Sequence, residues 1–170
     1  VSIRTTFLGG GFGRRATTNS DVVFEAAHVA KQVDAPVKVV WTREDDTRGG
    51  YYRPMFVHRL AAALDDAGKP TAWRQRIAGQ SIIEGTPFAP MMIKDGVDDT
   101  SVEGASDSPY VTAIANHRVE LHSPKPGIPV LWWRSVGHTH TAFVVESFVD
   151  ELAHAAKKDP LAYRRELLAK

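Results

Sequence analysis

Four glycines fall within five residues in the stretch LGGGFGRRATTNSD, which runs from Leu8 to Asp21. A residue without a Cβ accepts positive φ and lets backbone N–H groups approach a ligand without obstruction. Gly10, Gly11 and Gly13 are therefore candidate binding residues, and Arg14 beside them supplies a charge-assisted donor for a phosphate or other anion, as does Arg15. The spacing Gly11-x-Gly13-x-x-Ala16 also matches the dinucleotide fingerprint, which makes a nicotinamide cofactor the first chemistry to test. That fingerprint needs a helix that opens at the glycines and an acidic residue about 20 positions on. Here the best helix start is Thr18 and the acidic candidate, Glu44, lies too far downstream. The letters of the fingerprint fit and its geometry fails, and a purely structural tight turn is the competing reading.

A second chemical stretch is LWWRSVGHTHTAFVVESF, from Leu131 to Phe148. Arg134 stands between two indoles and a small Ser-Val-Gly turn, just ahead of a helix whose N-terminal end favours anions. It either presents a planar fork of donors to an oxyanion or stacks on Trp133 at the surface. His138 and His140 have the two-residue spacing of a metal pair, but no third ligand accompanies them, which favours capping or solvent roles. His28, His58, His117, His122 and His154 show no ligand spacing and read as surface or structural residues. Glu44, Asp45 and Asp46 read as solvated charge at a loop start, and no serine has a nucleophile-elbow context. No complete active site is assembled by this sequence, and no catalytic residue or metal ligand is assigned.

The elements that must position these residues follow from periodicity. Residues 1–8 read as a strand ending at the glycines. Thr18 with Asp21 resembles a capping box for a helix with the seam Val22, Ala26, Val29, Val33, and residues 37–41 read as a second strand, making a β-α-β unit. Residues 55–64 and 71–79 flank DDAGKP and predict a β-hairpin. Residues 80–109 lack periodicity and predict a long irregular segment with one short helical stretch. Strands are expected over 111–121 and 130–133. Val145, Phe148, Val149, Leu152 and Ala156 share one helical face, and Asp159-Pro160 caps and opens a final helix. The fold class is mixed α+β, with possible sub-lobes at about 1–80 and 81–170.

Composition bounds the function. The chain has 170 residues, 43% hydrophobic and 24% charged, with a net charge of +1. That is enough chain for one buried core and too little field for nucleic acid or an anionic membrane. Without cysteine the chain cannot ligate an iron–sulfur cluster through thiolates. It does not begin with Met, and its first residues read as the middle of a strand, so a piece of a longer polypeptide is expected.

In combination, GGGFG after an apolar run, VKVVWTREDDTRGGYYRP, HRLAAALDDAGKPTAW and WWRSVGHTHTAFVVESFVDELAHAAKKDPLAYRRELL resemble the molybdopterin-binding large subunit of the xanthine dehydrogenase and aldehyde oxidase family. The WRSVGH form and the last two helices are most similar to isoquinoline 1-oxidoreductase β subunits and membrane-associated aldehyde dehydrogenases. The resemblance implies a molybdenum hydroxylase that oxidises an aldehyde or N-heteroaromatic carbon with water as oxygen donor. It implies the cytosine dinucleotide form of molybdopterin, with the Phe12-Gly13 backbone and Arg134 at the cofactor. It also implies an iron–sulfur small subunit, the remainder of the large subunit and a cytochrome c acceptor as partners, and a periplasmic or membrane-associated setting, with a cytoplasmic one left open. Purine hydroxylases have an acidic residue after the glycine motif, an Arg upstream of the segment matching SPY, and an aromatic two residues beyond the turn Arg. Here these are Arg14-Arg15-Ala16, no Arg between Met92 and Tyr110, and Val136, so a less polar substrate is expected. The general-base Gly-Val-Gly-Glu motif of the family does not occur in the sequence, so the isolated chain is expected to be inactive.

Overall fold

The computed structural model describes Arg4 and residues 6–169. Its frame is a three-stranded sheet in the order β1-β2-β5. β1 (Phe56–Leu64) and β2 (Pro70–Gly79) form the expected antiparallel hairpin, closed by a turn in which the Asp65 carboxylate accepts from the amides of Ala67 and Lys69. β5 (Asn116–His122) adds in parallel to β2, from Ala72↔Asn116 to Ala78↔His122. Burial alternates along β1 and β2, so Leu60, Trp73, Gln75 and Ile77 face the core and Arg59, Arg74 and Arg76 face solvent.

The core-facing side of the sheet is covered by α6 (His138–Ala155) and α7 (Pro160–Leu168). Val145, Val149, Leu152 and Ala153 of α6 pack with Trp73, Val111, Ile114 and Tyr163, as the helical seam predicts. Asp159 caps α7 as expected, accepting from the Ala162 amide at 2.8 Å, and the buried Tyr163 hydroxyl donates to Gly68 O. Between β2 and β5 the chain makes short pieces: α3 (Ala89–Met92), the β3–β4 pair (Ile93–Lys94 with Val97–Asp98), α4 (Asp99–Val102) and α5 (Pro109–Thr112). Buried Asp98 organises them by accepting from Ser81, Thr100 and Ser101. The predicted strand over 111–121 is thus divided between α5 and β5, and that over 130–133 is reduced to a single bridge between Val130 and Tyr52.

The N-terminal region departs from the β-α-β reading. α1 (Asp21–Ala30) is present, but residues 6–8 and 37–41 belong to no strand and have no pairing partner among the described residues; positions 1–3 and 5 of the expected first strand lie outside them. A segment of strand-like composition becomes a strand only when a neighbour takes up its amides and carbonyls. The Thr18 capping reading is also corrected. The helix opens at Asp21, after Ser20 in a left-handed conformation with no side-chain cap, and the Asp21 carboxylate accepts from Arg14, Thr17 and the Val22 amide instead of closing a box with Thr18. The acidic cluster has a structural role in α2 (Arg43–Gly49), where Thr42 and Asp45 form a reciprocal capping box.

Candidate functional site

The two stretches singled out in the sequence meet. Gly13 has φ +90, and a Cβ placed on it would lie 2.9 Å from both Cα and C of Trp133 and 3.2 Å from the Arg134 amide nitrogen. Backbone therefore packs on backbone, a contact open only to glycine. The turn is closed by the Ala16 amide donating to Gly13 O at 3.0 Å, and Phe12 within it also has positive φ, at 49.

The opposing turn is held from below. The Val136 amide donates to Trp133 O at 2.9 Å, with Val136 itself at φ 44, an uncommon and strained state for a β-branched residue. Arg53 donates from one terminal nitrogen to Val136 O at 3.0 Å and from the other to Leu131 O at 3.4 Å. Glu103 fixes the start of α6: its Oε2 accepts from the Gly137 amide at 2.9 Å and its carbonyl from the Thr141 hydroxyl at 2.6 Å. Trp132 is buried with Ile82, Ile83 and Leu131, whereas Trp133 is 48% exposed and Arg134 stands at the tip of the turn.

A cleft of about 830 Å³ opens between the glycine turn, α1, residues 39–43 and Trp133. Gly10, Gly11, Phe12 and Arg14 line it, while Gly13 and Arg134 form the seam beside it. Three guanidiniums, Arg14, Arg15 and Arg43, share the wall with Asp21, Glu25 and Asp46. Two of these acids are already engaged. Asp21 accepts from Arg14 at 2.8 and 3.4 Å, and this pair, aided by the Val22 amide and the Thr17 hydroxyl, holds its carboxyl below the usual range. Glu25 accepts from the Trp41 indole N–H at 2.8 Å. Arg14 also lies over the Tyr51 ring, 5.1 Å from its centroid. Among the described residues, Arg15 and Arg43 have no acidic partner within ion-pair distance.

Behind the Arg134 turn runs a polar chain that the sequence reading missed. The Trp73 indole can only donate, so it points at Gln75 Oε1 (3.4 Å) and leaves Gln75 Nε2 to donate to His58 Nδ1 (3.1 Å). His58 Nε2 then carries a proton toward His140 Nδ1 (3.0 Å), and His140 keeps its own on Nε2, which is buried without a partner in the described structure. Phe56 stacks on the His140 ring at 3.6 Å between centroids. Burial lowers both imidazoles, His140 to about 4 with help from His58 and Arg53, so both are neutral at pH 7. His140 is therefore a structural partner of His58. His138 lies instead beside Glu103, and no cluster of three metal-ligating side chains exists among the described residues.

The molybdopterin cofactor-binding domain family matches residues 1–168. The chain belongs to that family. Its relatives include the membrane-bound aldehyde dehydrogenase [pyrroloquinoline-quinone] of Gluconacetobacter polyoxogenes, 35% identical over 99% of this chain and 22% of the relative. The isoquinoline 1-oxidoreductase subunit beta of Brevundimonas diminuta is 27% identical over 96% of this chain and 20% of its own length. The aldehyde oxidoreductase molybdenum-binding subunit of Escherichia coli (strain K12) is 29% identical over the same shares. The chain thus spans about a fifth of the length of the curated relatives it matches. The xanthine dehydrogenase and aldehyde oxidase resemblance read from the four sequence blocks holds.

Proposed function

We propose that this domain forms one wall of the cofactor site in a molybdenum hydroxylase that oxidises an aldehyde or an N-heteroaromatic carbon. The observation that carries the reading is the backbone contact between Gly13 and Trp133-Arg134, which joins the two anion-suited turns at the mouth of one cleft. When bound, the molybdenum cofactor supplies the redox centre, with water as the oxygen source.

The residues present fit such a group. The cleft is of ligand size, and its donors suit an anion: bare backbone at Gly10 and Gly11, and the cations Arg15 and Arg43. The Phe12-Gly13 backbone and Arg134 orient the cofactor from the seam. Arg14 serves as a wall residue whose charge is largely offset by Asp21. Exposed Trp133, which lines the cleft, gives the entrance an apolar edge suited to a substrate less polar than a purine. We assign the cytosine dinucleotide form of the cofactor and an iron–sulfur partner subunit that receives the electrons. The general base is supplied by sequence other than this chain, so the isolated domain is inactive. The nicotinamide alternative is weakened by α1, which begins only at Asp21, well after Gly13, with its first residue bound to Arg14.

The test is molybdenum and released cytidine nucleotide per chain in the full-length polypeptide, co-expressed with its partner subunits and maturation factors. Near-stoichiometric amounts of both are expected. Folded protein with neither would overturn the reading, and saturable quenching of NADH fluorescence would replace it with the nicotinamide alternative.

A further inference from the structure

The solvent face of the three-stranded sheet carries an arrangement that the cofactor reading does not use. In the register of the sheet, Arg59, Arg76 and Glu120 form one rank across β1, β2 and β5, and Ala61, Arg74 and Arg118 form the next. Four guanidiniums therefore share a small exposed area with one carboxylate. Arg74 and Arg76 each donate through Nε to Glu120 Oε2, at 2.9 and 2.8 Å, and an Arg118 terminal nitrogen lies 3.0 Å from Oε1. Hydrogen bonds from Arg74 and Arg76, with the charge of Arg118, push the Glu120 carboxyl down to about 2, so it stays ionised at any working pH.

Like charges directly opposite each other on a sheet are destabilising, and this face sets Arg59 opposite Arg76 and Arg74 opposite Arg118. One Glu cannot neutralise four Arg, so sheet stability alone does not account for the cluster. Because Arg74 and Arg76 use Nε on Glu120, their paired terminal nitrogens are left for an outside acceptor, the geometry that suits a carboxylate. Beside Arg74 and Arg118 lies a shallow trough floored by Ala61, Ala63, Ala72 and Ala115, where short side chains leave room for a group to reach the guanidiniums. No Phe, Tyr or Trp is exposed on these ranks to stack a base, which disfavours single-stranded nucleic acid.

We propose that this arginine face is a docking surface for an acidic patch on a partner protein. The proposal is independent of the cofactor assignment. The face lies on the side of the sheet opposite α6 and α7, and a partner there would bind through charge-assisted hydrogen bonds to Arg59, Arg74, Arg76 and Arg118, with rapid, salt-sensitive association.

The test uses the full-length polypeptide and fluorescein-labelled poly-L-glutamate, read by fluorescence anisotropy at low and moderate salt. Binding that weakens with salt is expected, with an about tenfold loss in the Arg59→Gln/Arg118→Gln double variant, since exposed charge pairs contribute a few-fold each. Lys at both positions restores most of it, and Glu120→Gln, which removes the only carboxylate of the cluster, tightens it. These last two variants keep the test informative if the double glutamine variant folds poorly. Absence of binding, or binding unchanged by the substitutions, overturns the proposal. So does tighter binding of a DNA duplex of equal charge, because the face would then be a general polyanion surface. Molybdenum content is expected to be unaffected throughout.

Discussion

A methyl group at position 13 has nowhere to go. It would press on the Trp133 backbone, which cannot rotate aside like a side chain, and the φ of +90 is itself costly for any L-residue. Gly13→Ala is expected to destabilise the protein by about 1–3 kcal/mol, read from the denaturant midpoint, and to lower cofactor content per chain. His140 makes a prediction with a pH axis. Its imidazole is lowered to about 4 in the folded protein against 6.5 for the free side chain. The unfolded state therefore binds the extra proton first, and the stabilising contribution, complete above pH 6.5, is lost as pH falls toward 4. His140→Phe keeps the stack on Phe56 without the titration, so unfolding midpoints measured across this window should flatten in the variant; an unchanged pH dependence would assign it to other groups. The glycine turn and Arg134 were legible in the sequence because their residue types advertise a chemistry. The His58–His140 pair was not, since its members are 82 residues apart and the local spacing of His140 pointed to His138 instead.

At the scale of elements, α6 is positioned by a residue outside it. Glu103 accepts from the Gly137 amide, so Glu103→Ala should cost about 1 kcal/mol, as loss of a helix N-cap does, and should also loosen the turn that carries Arg134. Asp159→Ala removes a cap of similar worth from α7, away from the cleft. Thermal melts should show comparable losses in the two variants, while molybdenum retention should fall only in Glu103→Ala. The elements legible in advance were those with their own periodicity: the hairpin, α6, and α7 with its Asp-Pro start. Residues 37–41 have strand composition, but Val39, Val40 and Trp41 line the cleft and find no pairing edge among the described residues. β-propensity reports a fit to a pleated surface and does not create the neighbour that completes it. The parallel addition of β5 was hidden for the same reason, because register with β2 depends on how the irregular pieces between them pack.

Across the whole molecule, stability is unevenly distributed. No described residue before Tyr51 is buried, and Val22, Val23, Phe24 and Val29 of α1 are all exposed, whereas β2, α6 and α7 share one apolar cluster. Backbone amides of α1 should exchange with solvent well before those of α6 in hydrogen-exchange mass spectrometry of the 170-residue chain, because few buried contacts oppose local opening. Equal protection in the two helices would contradict this. The parallel pairing of β2 with β5 has a consequence in time. The β1–β2 hairpin closes over a short turn and can form within microseconds, but β5 cannot join until the whole intervening segment has emerged and packed. Arg53 must then find carbonyls 78 and 83 residues further along the chain. Loop closure over such separations slows folding, so the turn bearing Arg134 is completed among the last steps, and a nascent chain would expose the glycine turn well before the opposing wall exists to receive it.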